Sequence, residues 1–195
     1  MRKQDEFALD YVSGLKQALD LVPTEQVAAL MQRLVDAYRG GKKVFVIGNG
    51  GSAATASHMA CDLSKTILGH GPAGDRRRFR VMALTDNIPL VTAWANDVCY
   101  ECVFAEQLKA WADPGDLVIV ITGSGNSRNI IDAVKMARTL GAHTFGLLGF
   151  NGGETKDLVD EYVMVPVDNY GYVEDIHMML DHLATAYLRS VVSDG

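Results

Sequence analysis

Two short apolar runs, Val44-Phe45-Val46-Ile47 and Leu117-Val118-Ile119-Val120-Ile121, each break into small residues and then into a helix-forming segment. The first break is Gly48-Asn49-Gly50-Gly51-Ser52, and the second is Thr122-Gly123-Ser124-Gly125-Asn126-Ser127. Continuous apolar runs without alternation describe strands buried on both faces, and such strands belong to a parallel sheet covered by helices on either side. Small residues at the following turn leave the first N–H groups of the helix uncovered. A helix start of that kind binds anions, phosphate above all. Ser52, Thr122, Ser124 and Ser127 add hydroxyl donors. Ligands in such sheets sit beyond the carboxyl ends of the strands, so the two turns can converge on one pocket. Neither turn is a Walker loop or a G-x-G-x-x-G fingerprint.

The rest of the chain agrees with this architecture. Further strands are expected at 81–84, 144–148 and 162–165, separated by helices at 53–66, 88–95, 103–112 and 126–140 and a short one at 154–159. Ahead of them, Phe7, Tyr11, Leu15 and Leu19 recur at four-residue steps, and Val27, Leu30, Met31, Leu34, Val35 and Tyr38 mark a second helix that Gly40-Gly41 stops. A last helix, 173–191, carries Ile176, Met179, Leu180, Leu183 and Tyr187 as core positions, with Met178, His182 and Thr185 on its other side. The expected fold is α/β, a doubly wound five-stranded parallel sheet. It forms one domain over residues 1–195, with residues 1–41 as an N-terminal helical extension. The apolar excess on the first and last helices points to burial against another subunit.

Composition narrows the function. A net charge of −6 argues against a nucleic-acid surface. The Arg76-Arg77-Arg78 run reads as a solvated loop before a strand. No apolar run reaches the ~20 residues of a membrane helix, and the N-terminus has no signal-peptide hydrophobic region, so a cytoplasmic protein is expected. Cys61, Cys99 and Cys102 fit neither a disulfide framework nor a zinc site, and read as core or interface cysteines.

The ionisable residues fall in two groups. His58 and Asp62 stand four apart, on one face of the helix that Ser52 begins, a spacing at which the two can share a metal or a proton. Glu174, Asp175, His177 and His182 lie on the last helix. Glu174 and His182 are eight residues apart, about 12 Å along a helix, too far to wrap one ion. Sharing one site requires the helix to start beyond Glu174, or the two residues to come from different subunits.

Taken with Asn96-Asp97 and Glu174-Asp175-Ile176-His177, the two turns and His58 resemble the sugar isomerase (SIS) domain family, nearest its phosphoheptose isomerase subgroup. That resemblance implies a flavodoxin-like SIS fold, a homotetramer with sites between subunits, and a phosphorylated sugar as substrate. The implied reaction interconverts sedoheptulose 7-phosphate and an aldose heptose 7-phosphate. The resemblance places Asn49, Gly51, Ser52, Asn96, Asp97, Thr122, Gly123, Ser124, Ser127 and Glu174 at the substrate. It makes His182 and Asp62 the acid/base pair and gives His58, Asp62, Glu174 and His182 to a divalent metal, for which two imidazoles and two carboxylates suit zinc. The chain departs from the subgroup in carrying Asp62 where Glu is usual and Glu174 where Gln is usual. SIS domains also serve as phosphosugar sensors, and one relative binds the bacterial replication initiator; a regulatory binding protein is the alternative reading.

Overall fold

The computed structural model describes residues 2–69 and 74–193, so the outermost ends of the expected 1–195 domain lie outside the described residues. Two helices, α1 (Lys3–Asp20) and α2 (Thr24–Gly40), lead into β1 (Lys43–Gly48), α3 (Gly51–Ser64), β2 (Arg80–Ala83), α4 (Ile88–Asp97) and α5 (Val103–Trp111). Then follow β3 (Leu117–Thr122), α6 (Arg128–Thr139), β4 (His143–Gly149), α7 (Gly153–Leu158), β5 (Glu161–Val165) and α8 (Tyr170–Ser193). The strands form one parallel sheet in the order β2-β1-β3-β4-β5, with Val44 beside both Val81 and Leu117. Each expected strand is present within a residue or so of its bounds.

The period of two along the buried strands divides the core. Val44, Val46, Leu117, Ile119, Ile121, Phe145, Leu147, Val163 and Val165 face α2, α3 and α8. Phe45, Ile47, Val118 and Val120 face α5 and α6 on the opposite side. Both faces are therefore covered, as continuous apolar strands require.

Three expectations change on contact with the structure. On α8 the buried row is Val173, Ile176, Leu180, Ala184, Leu188 and Val192, joined by His177, Asp181 and Thr185. Leu183 and Tyr187, expected in the core, are exposed, whereas Thr185 is buried. Polar residue type hid the true helical stripe. The arginine run is not simply solvated: Arg77 donates to the Arg39 carbonyl (2.8 Å) at the end of α2 and stands over the Tyr38 ring, and Arg76 donates to the Leu68 carbonyl (2.6 Å). Cations on the last carbonyls of a helix complement its dipole. Of the cysteines, Cys61 is exposed and Cys99 and Cys102 are part-buried, which removes the core half of the expectation and leaves an interface role as an expectation.

Helix α1 docks on α8 through few groups. Tyr11 donates to Asp175 Oδ2 (2.8 Å) and meets the Tyr172 ring edge-on at 4.8 Å. Gly14 admits the Tyr172 ring, since a Cβ there would lie 2.3 Å from its hydroxyl oxygen. Phe7, expected on the packed stripe, is 72% exposed, and Leu9, Val12, Leu19 and Leu21 are exposed with it.

His177 is fully buried and neither ring nitrogen has a well-formed hydrogen bond. Burial pushes its pKa down to about 4, against a smaller opposing pull from the Leu148 backbone. The unfolded chain therefore binds a proton between pH 4 and 6.5 that the folded chain refuses, and stability from this group is lost as pH falls through that window. Comparison with His177→Leu isolates the effect. The stability of the wild type relative to this variant is expected to rise by about 3 kcal/mol from pH 4 to 6.5 and then level off, measured by denaturant unfolding.

Candidate functional site: a hydroxyl-lined cradle and a His/Asp group on one helix

Strands β1 and β3 are neighbours, yet the chain leaves them toward opposite edges of the sheet. The crevice at such a switch point is where ligands bind in open α/β sheets. Both small-residue turns open there. Asn49, Ser52, Thr122, Gly123, Ser124 and Ser127 line one small pocket together with Tyr170 and Glu174. Its volume of about 100 Å³ suits a phosphate group rather than a whole sugar. Gly51 borders it through its contact with Glu174.

The turn geometry keeps donors pointed at this pocket. Gly50 has φ +56, a left-handed value that glycine accepts freely, and no side chain caps α3. Ser127 is the N-cap of α6 but makes no capping hydrogen bond, so its hydroxyl is free for a ligand. Thr122 Oγ1 accepts from Gly125 N (3.1 Å) and Ser124 Oγ from Asn126 N (3.3 Å), which leaves both hydroxyl protons to donate elsewhere. Asn49 is held by reciprocal amide bonds to Asn129 (2.9 Å each) and accepts from the Tyr100 hydroxyl (3.0 Å). Gly123 makes room for the Tyr170 ring, which meets Phe150 edge-on at 4.7 Å.

Farther along α3, His58 and Asp62 meet α8. His58 Nε2 is 3.1 Å from His182 Nε2 and 3.7 Å from Asp62 Oδ2. Asp181 joins them: one ligand atom from each of His58, Asp62, Asp181 and His182 lies within 4.8 Å of all the others. Burial, and secondarily the charge of Asp62, pushes the Asp181 carboxyl up to about 7. The His pair is exposed and the carboxylates are buried beneath it.

Whether this group fits a metal can be judged from its own dimensions. Four ligands at about 2.0–2.1 Å around a tetrahedral ion stand about 3.3 Å from one another. The separations of 3.1 and 3.7 Å bracket that value. Two imidazoles and two carboxylates are borderline donors suited to zinc and neighbouring divalent ions. His58, Asp62 and His182 fit such an ion at these separations, and a ligand atom of Asp181 stands within 4.8 Å of theirs.

Three expected site residues, Glu174, Asn96 and Asp97, lie apart from this set. Helix α8 begins at Tyr170, before Glu174, so the requirement that it start beyond Glu174 is not met. Within one chain Glu174 stands with the cradle instead: a Cβ on Gly51 would lie 2.4 Å from its Oε1. Asn96 and Asp97, bonded to each other (2.8 Å) at the exposed end of α4, do not line the cradle pocket of their own chain. Asp181 escaped the sequence reading because His177, Asp181 and Thr185 were not placed on one buried stripe. The four-residue spacing among them was the available signal.

The SIS domain family profile matches residues 9–149. The chain belongs to the SIS domain family. It is 40% identical over 167 residues to the phosphoheptose isomerase of Geobacter metallireducens, covering 86% of each chain. To that of Clostridium acetobutylicum it is 39% identical over 160 residues, covering 82% of this chain and 79% of the relative. Among solved structures, phosphoheptose isomerase from Neisseria gonorrhoeae superposes with a TM-score of 0.86 at 27% identity, covering 97% of this chain and 100% of that one. The shared SIS fold accounts for the strand order and for the crevice between β1 and β3.

Gly125 shows how tightly the cradle is built. Its φ is +67, and a Cβ there would lie 1.9 Å from the Gly152 carbonyl oxygen, which is backbone and cannot step aside. The Gly125 carbonyl also accepts from Thr155 Oγ1 (2.7 Å). Gly125→Ala is expected to cost about 2–4 kcal/mol of stability, read by denaturant unfolding.

Proposed function

We propose that the protein is a phosphosugar aldose–ketose isomerase acting on sedoheptulose 7-phosphate. The observation that carries this reading is that one helix, α3, both opens the hydroxyl-lined cradle and delivers His58 and Asp62. Ser52 and His58 are six residues apart, about 9 Å along the axis. That separation suits a ligand with phosphate at one end and a carbonyl several carbons away. The phosphoheptose isomerase relatives, which match most of the chain, support the same reaction.

In this reading Ser52, Thr122, Ser124 and Ser127 hold the phosphate with the first N–H groups of α3 and α6, and Gly51 and Gly123 keep the backbone close. Asn49, rigidly paired to Asn129, orients the sugar, and Asn96 and Asp97 reach substrate from a neighbouring subunit. Asp62 and His182 carry the proton. One takes it from C1 of the ketose as O2 gains a proton to give the enediol, and the other delivers a proton to C2 as O1 gives up its hydroxyl proton and becomes the aldose carbonyl. General acid–base groups of this kind contribute about 10²- to 10⁴-fold each.

His58, Asp62 and His182 are also placed to hold a divalent metal, zinc by donor set. When bound, the ion would supply positive charge to stabilise the developing enediolate. Asp62 has two oxygens and can face an ion with one and a substrate proton with the other. His182 has two ring nitrogens, so Nε2, the one facing His58, can hold the ion while Nδ1 exchanges the proton.

We propose further that the chain assembles as a homotetramer with sites between subunits, supported by the uncovered Phe7, Leu9, Val12, Leu19 and Leu21 of α1. A cytoplasmic location accords with the absence, among the described residues, of any helix long and apolar enough to cross a membrane.

Isomerase assay of His182→Ala and of Ser124→Ala separates the two ends of the pocket. His182→Ala is expected to lower kcat by about 10²-fold or more while phosphosugar binding persists. Ser124→Ala is expected chiefly to raise KM, by about tenfold for a hydrogen bond to a charged group. Unchanged turnover in His182→Ala overturns the assignment of the proton-transfer residue.

A further inference from the structure

We propose that Asp181 is a metal ligand. The ion is held by His58, Asp62, Asp181 and His182 of a single chain, and Glu174 is left to the phosphate end of the pocket. The inference rests on the reading that a divalent ion binds this group, and it goes beyond that reading by naming which carboxylates do the binding.

Asp181 is 0% exposed, and its Oδ2 is buried with no hydrogen-bond partner. Its Oδ1 has only a long contact of 3.5 Å from the Thr185 hydroxyl. A buried carboxylate left this poorly satisfied costs stability and calls for an explanation. The cost is greater here because a second buried carboxylate, Asp62, belongs to the same group. The neighbouring α8 positions Leu180 and Ala184 are buried and apolar, so the fold accepts apolar residues on this face. The ligand atoms of the two carboxylates and the two imidazoles lie within 4.8 Å of one another, so a cation among them would give the buried carboxylates a partner. The unpartnered oxygen is accounted for by no other contact among the described residues.

Glu174 does not fill this place in its own chain. It is two helical turns from His182, with its carboxylate against Gly51 and the cradle. Because α3 and α8 supply all four donors, ion binding needs no residue from a neighbouring subunit, even where the substrate does. The binding set then differs from the one expected at first by a single exchange, Asp181 for Glu174.

Chelator-stripped protein titrated with cobalt(II), read by its visible d–d absorption and by competition with a chromophoric chelator for zinc, tests the inference. Wild type and Glu174→Ala are expected to bind one ion per chain with affinities within about threefold. Asp181→Asn and Asp181→Ala are expected to lose at least about tenfold in affinity, with a weaker and shifted cobalt band. The unfolding temperature of each metal-free variant, measured alongside, is expected to match or exceed that of the metal-free wild type. The rise on adding metal is expected to shrink. Wild-type affinity retained in both Asp181 variants, or lost in Glu174→Ala alone, overturns the inference and leaves metal binding standing. A wild type that takes up neither cobalt nor zinc overturns both.

Discussion

The adjacency of two parallel strands, β1 and β3, from which the chain departs in opposite directions, is the constraint on which the rest depends. It opens a crevice at the carboxyl end of the sheet and sets two helix starts side by side facing it. Neither helix start has a side-chain cap, so each offers backbone donors that only a ligand or water can satisfy. The cradle is a by-product of topology, made specific by which small residues fill the turns. Gly125 and Gly153 pack so closely that side chains there would collide with backbone. Ser124 and Ser127, by contrast, keep hydroxyls on the open side.

Helices α3 and α8 extend that crevice to the group of His58, Asp62, Asp181 and His182. They pack along their length on one face of the sheet, and their contact surface is apolar through Ala56, Met59, Leu63, Ile176, Leu180 and Ala184. Into this surface the sequence inserts Asp62 and Asp181. A buried polar group normally weakens a core. Here the cost is concentrated beneath the exposed His58 and His182, where a bound cation and a substrate proton would use it. The site is thus rigid by packing and polar by insertion.

Much of this was legible in the sequence, for physical reasons. Strands buried on both faces announce themselves as unbroken apolar runs, so β1 and β3 and their turns could be placed closely, and α2 followed a clean helical period. What could not be read was the buried face of α8. Its stripe is interrupted by His177, Asp181 and Thr185, and a reading by residue type sends these to the surface while drawing Leu183 and Tyr187 inward. The same error hid Asp181 from the ionisable group. Glu174 was recognised as important, but its distance from His182 along one straight helix could be resolved only by seeing it rest on Gly51. The exposed apolar residues of α1 were legible as an excess, and in the single chain they remain uncovered.

The central claim is that a phosphosugar is held at the cradle so that a carbon-bound proton is moved at the His58, Asp62 and His182 end. Incubation with sedoheptulose 7-phosphate in heavy water, followed by proton NMR, tests it most directly. The account predicts loss of C1 hydrogen signal from the ketose together with the appearance of an aldose phosphate carrying deuterium at C2. A sugar phosphate that binds tightly and retains every carbon-bound hydrogen would contradict it.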